Sequence, residues 1–133
     1  VRDNQSLRKE INMKKLNLDK HVRIYDTGGK TLDRFTAVYM DCPERQPNMF
    51  DARAMSVSPF SPQGFGCSCS AMPGRHLGKR IKLSELPKDC QRLVLRDLKE
   101  IFLHIEGRVT YCEPICDLSH QVNELLKQVQ GAV

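Results

Sequence analysis

The stretch His21-Val22-Arg23-Ile24-Tyr25-Asp26-Thr27-Gly28-Gly29-Lys30-Thr31-Leu32-Asp33-Arg34-Phe35-Thr36-Ala37-Val38-Tyr39-Met40-Asp41 decides how this chain begins to fold. Two runs rich in β-branched and aromatic residues flank a Gly-Gly pair, which supplies positive φ without steric cost. The segment predicts a β-hairpin with strands at about 21–26 and 34–41, and Gly28, Gly29, Asp33 and Arg34 read as its turn residues. Gly28-Gly29-Lys30-Thr31 also resembles the tail of a phosphate-binding loop. The full motif needs a further glycine where Ile24 stands, and a helix after the lysine to aim amide dipoles at phosphate. Arg34–Tyr39 has strand character instead, so the turn is read as structural.

Outward from the hairpin, Pro43 and Pro47 end the second strand because proline cannot donate to a ladder. Ala52–Val57 is a third strand candidate, and Ser58–Gly66 is a loop by its Pro, Gly and Ser content. Its two phenylalanines, Phe60 and Phe65, suggest a loop packed on the body or offered to a partner. Lys79–Leu83 alternates polar and apolar residues and reads as the last strand. Leu86-Pro87 marks a helix start, since proline is tolerated in a first turn. Cys90, Leu93, Val94, Leu98, Ile101, Phe102 and Ile105 then follow helical spacing, opposite Arg92, Arg96, Lys99 and Glu100, up to Gly107. A second helix is expected from near Ser119, with Val122, Leu125, Leu126 and Val129 on one stripe.

The expected fold is therefore α+β: a small, mostly antiparallel sheet opened by the hairpin, packed by one long helix and a shorter C-terminal helix. Its 133 residues suit one domain. Residues 1–20 read as a basic extension or short helix, with 1–12 outside the core, and residues 21–133 as a single α+β domain. A hydrophobic content of 40% with 28% charged residues is ordinary for a soluble protein, and no apolar run approaches the roughly 20 residues that span a bilayer. No secretory leader is recognised, and six cysteines without one suggest a reducing cytoplasm, with Cys42 and Cys90 as buried thiols.

The net charge of +5 is uneven. Arg8, Lys9, Lys14, Lys15, Lys20 and Arg23 make the N-terminal end basic, and Arg75, His76, Lys79, Arg80 and Lys82 form a second cluster without an internal acid. Such a cluster suits phosphates or an acidic protein surface, with Tyr25, Phe35 or Tyr39 as stacking faces in the nucleic-acid case. Partner binding is accordingly assigned to Arg75, His76, Lys79, Arg80 and Lys82, with Phe60 and Phe65.

No catalytic residue is assigned. Cys67, His76 and Asp33 offer nucleophile and base types, but no local motif unites them. No cofactor is assigned, with zinc as the alternative: Cys67, Cys69, His76, Cys112, Cys116 and His120 are ligand types, but Cys-x-Cys and Cys-x-x-x-Cys depart from the usual knuckle spacing.

Taken together, Arg23–Asp26, Gly28–Thr31, Asp33–Thr36, Met55-Ser56, Pro59-Phe60, Pro62–Gly66, His76–Ile81, Leu86-Pro87 and Cys90–Val94 resemble a family of small uncharacterised proteins of bacteriophages and other mobile elements. The resemblance covers about residues 21–100. It implies a bacterial cytoplasmic setting and non-catalytic binding of a host protein or nucleoprotein complex, as an anti-CRISPR-like inhibitor of host defence does. A nucleic-acid-binding accessory protein, with or without a stabilising zinc, is the alternative, and an enzyme of unknown class the third reading.

Overall fold

Alternation along the hairpin strands sends Val22 and Ile24 to one side and Arg23 and Tyr25 to the other, and this two-sidedness organises everything that follows. The computed structural model describes residues 18–108 and 113–131. Strands β1 (Val22–Asp26), β2 (Phe35–Pro43), β3 (Phe50–Met55), β4 (Gly66–Ala71) and β5 (Lys79–Ile81) form one antiparallel sheet in the order β4-β3-β2-β1-β5. Helices α1 (Lys88–Arg108) and α2 (Glu113–Gly131) follow, so the protein is α+β as expected.

The hairpin pairs Val22 with Tyr39 and Asp26 with Phe35. Its connection is longer than a two-residue turn and is closed by Thr27 N–H donating to the Arg34 carbonyl at 2.9 Å. Gly28 and Gly29 both adopt positive φ, 75° and 90°, which explains the Gly-Gly pair. β2 does run to Pro43, reached across a register shift after Val38, and ends there.

On one face of the sheet, Val22, Ile24, Phe35, Ala37, Tyr39 and Met55 pack with Val94, Leu98 and Phe102 of α1. Val122 and Leu126 of α2 join the same core, with Leu125 and Val129 packed against it, so the anticipated stripe is the buried one. Leu18, in a short 3-10 turn over Leu18–Lys20, is buried there too, so the packed body already includes residues ahead of position 21. Both helices outrun their sequence-read limits: α1 passes Gly107, and α2 begins six residues before Ser119. Cys67–Ala71 carries no strand signal in the sequence, yet it forms β4 together with Gly66.

Among the described residues, the opposite face carries no α-helix. Tyr25, Val38, Ala52 and Ala71 form a second cluster there, with Met40, Phe50 and Leu77 against it. Leu77 belongs to the connection 72–78, which joins the two edges of the sheet. Crossing four strand spacings takes about 19 Å, and eight Cα steps reach at most about 28 Å, so the connection runs over the sheet with little slack. This strap is what covers the second face.

Candidate functional site: a basic cleft under the strap

The strap turns through a short 3-10 segment, Arg75–Leu77, with Leu77 half-buried and Arg75 and His76 exposed. It then descends onto β1 at Gly78, whose φ is 118°. A Cβ at Gly78 would lie 2.4 Å from the Asp26 carbonyl oxygen, so only glycine lets the strap approach this closely. From there β5 pairs Lys79 with Asp26, Arg80 with Tyr25 and Ile81 with Ile24. Arg80 thus lies on the strap side, and Ile81 is directed to the core side.

Tyr25, Gly74, Arg75, Gly78, Lys79 and Arg80 line a cleft of about 540 Å³. Three cations converge on it, and among the described residues no acid is in its lining. Lys79 lies within electrostatic reach of Asp26, which pairs with Arg34: Arg34 Nε donates to Asp26 Oδ1 at 3.0 Å, and Gly28 N–H donates to the same oxygen at 2.7 Å. The Arg34 guanidinium, opposed in part by burial, holds the Asp26 carboxyl below its usual range, with smaller help from Gly28 and Lys79. Arg80 also donates to the Asp19 carbonyl at 3.3 Å, which ties the edge strand to the turn ahead of β1.

Of the residues assigned to partner binding, the fold brings Arg75, Lys79 and Arg80 to this cleft. His76 is exposed beside it on the strap, and Lys82 is exposed beyond the end of β5. Phe60 and Phe65 are elsewhere. Phe60 lies on the helix side, its ring 5.0 Å from the Arg92 guanidinium and 5.4 Å from that of Arg96. Phe65 is half-buried, and its N–H donates to Ser56 Oγ at 3.0 Å, closing the loop.

One expectation is overturned. Tyr25, Phe35 and Tyr39 are all at most 5% exposed, so none offers a stacking face to a base. Phe35 and Tyr39 face the helices, and Tyr25 is roofed by the strap and its cluster. Tyr39 instead donates its hydroxyl to Asp97 of α1, whose carboxylate also takes Arg53 Nε at 2.9 Å and Nη2 at 2.8 Å. Burial, reinforced by Asp97, pushes the Tyr39 phenol well up, so it stays protonated and able to donate. This ion pair pins α1 to β3, and nothing in the apolar periodicity announces it; an arginine between Ala52 and Ala54 is its only trace in the sequence.

The cysteines are dispersed. Cys90 is buried in the helix-side core with its Sγ donating to the Ser56 carbonyl at 3.3 Å, and burial pushes its thiol up to about 11. Cys42 is half-buried at the core margin, where burial, with Asp51 and Asp41, raises its thiol. Cys67 and Cys69 are exposed on β4, far across the sheet order from β5. Among the described residues no three His, Cys, Asp or Glu side chains gather in a metal-like group. Cys112 and the side chain of Cys116 lie outside the described residues, and His120 is exposed on α2. Cys67, His76 and Asp33 sit on three separate elements, β4, the strap and the hairpin connection.

The fold and cleft define the chain as an α+β protein with a cationic recess at one sheet edge. No protein-family model, curated protein or solved structure matches it. No helix among the described residues is long and apolar enough to cross a membrane.

Proposed function

We propose that the protein is a non-catalytic binding module that presents the basic cleft to an acidic macromolecular surface, a host protein or nucleoprotein complex. The observation that carries this reading is the convergence of Arg75, Lys79 and Arg80 on a recess whose lining has no acid among the described residues. A protein surface is favoured over single-stranded nucleic acid because the aromatic rings that would stack bases are buried. The resemblance to mobile-element proteins favours a bacterial cytoplasmic setting, where blocking a host defence complex is a coherent role for such a module.

The test is capture from bacterial lysate with and without nuclease, followed by salt titration of Arg75→Ala/Arg80→Ala against the captured partner. A protein partner survives nuclease, and losing the two charges chiefly slows association. Binding that vanishes with nuclease, and whose log affinity against log salt loses about two units of slope in the variant, replaces the protein partner with nucleic acid. Equal binding by parent and variant removes the cleft from the interaction.

A further inference from the structure

The open edge of the sheet carries two thiols on one face. β4 runs Gly-Cys-Ser-Cys-Ser-Ala in unbroken register with β3 and lies at the end of the strand order. Cys67 and Cys69 stand opposite Ala54 and Ala52, on the strap side, while Ser68 and Ser70 take the helix side. Both cysteines are exposed, and their cross-strand neighbours are only methyl groups, so the space over the two sulfurs is open.

Spacing decides what the pair can do. Two residues of strand rise about 6.6–6.8 Å, and side chains leaving the same face keep their Cβ atoms about that far apart. A disulfide needs about 3.5–4.5 Å between Cβ atoms, so closing one would pull β4 out of its ladder with β3. A metal ion bridges a wider gap. Two metal–thiolate bonds of about 2.3 Å, the length known for zinc, hold sulfurs about 4.6 Å apart when they lie in line. The two side chains then need to lean together by only about 2 Å in total, which staggered rotamers permit.

The number of donors selects the ion. Among the described residues no third His, Cys, Asp or Glu gathers with the pair, whereas a structural zinc takes four ligands. Copper(I) is soft, prefers thiolates, and as a closed-shell monovalent ion is stable between two of them. We infer that Cys67 and Cys69 form a two-coordinate thiolate site for copper(I), separate from the basic cleft at the opposite edge of the sheet. Binding breaks two S–H bonds and forms two Cu–S bonds; both protons leave to solvent, and neither sulfur nor copper changes oxidation state. Partial burial pushes the Cys69 thiol up, the Ala54 backbone opposes this, and a thiolate at Cys67 adds to it. The sulfurs are therefore close enough to repel once ionised, and a cation between them replaces that repulsion with attraction.

The experiment is an anaerobic titration of the reduced full chain with copper(I) supplied as its coloured bicinchoninate complex, whose absorbance falls as the protein withdraws metal. Cys67→Ser and Cys69→Ser, each alone, are expected to withdraw one equivalent fewer than the parent. Cys69→Ser/Ser70→Cys keeps the number of thiols but moves the second sulfur to the other face, and should lose the same equivalent. These positions are exposed on an edge strand, so the metal-free variants should melt with the parent. A parent that withdraws no copper, or uptake by the single-serine or face-swapped variants equal to that of the parent, overturns the inference.

Discussion

The two faces of the sheet are covered by different means. On one, a helix of 21 residues presses Val94, Leu98 and Phe102 onto five apolar strand residues and a buried tyrosine, and the Arg53–Asp97 pair adds a directional tie. On the other, a seven-residue strap touches the sheet through Leu77 and leaves Arg75 and His76 exposed. The helical face draws stability from many interlocking contacts, while the strap depends on a few residues and one close approach. The exposed charges assigned to the proposed partner are carried by or next to the thin layer, where a loop can change without disturbing the core.

That contrast can be broken with single substitutions. The largest effect belongs to the helical face. Phe102, 1% exposed between sheet and helices, should cost about 3–5 kcal/mol when changed to alanine, read from denaturant unfolding. Leu77→Ala on the strap should cost less than the roughly 1.5 kcal/mol that marks full burial of a leucine. Equal losses would erase the distinction between the faces.

Next in size is the strap's own point of attachment. Gly78→Val forces a side chain to φ 118° and against the Asp26 carbonyl, with an expected loss of about 1–3 kcal/mol from backbone strain. Partner binding should fall with it, because Lys79 and Arg80 follow directly. A variant that keeps both stability and binding would show that the strap does not position the cleft.

The smallest effect is at the hairpin beside it. Asp26, held below its usual range by Arg34, contributes stability that is present above the unfolded carboxyl value of about 3.9 and is lost as pH falls through the lower folded value. Asp26→Asn should therefore melt below the parent at neutral pH, with the gap closing in acid as the parent loses the same charge. Arg34 is 40% exposed on its side chain, so salt should also narrow the gap. A gap independent of pH would assign the effect to packing.

The hairpin was legible in the sequence because period-2 alternation and a Gly-Gly turn are local signals, and the helix stripes because apolar spacing is local as well. Cys90 as a buried thiol and the basic cluster near a sheet edge were legible for the same reason. β4 was not: Gly, Ser and Cys carry no strand pattern, and only pairing along the whole of β3 makes the segment a strand. The fate of the aromatics was not legible either. A tyrosine in an alternating strand has a definite side, but which side is roofed depends on where a distant connection crosses. Strand order put β4 and β5 at opposite edges and left seven residues to span them, and that length constraint buried Tyr25 and gathered Arg75, Lys79 and Arg80 into one cleft. By itself, then, the sequence determined the hairpin strands and the two helices with their apolar faces, since these follow from neighbours a few residues apart. The tertiary structure alone decided the cleft, the Tyr39–Asp97–Arg53 tie and the open edge, since each depends on residues brought together from far along the chain.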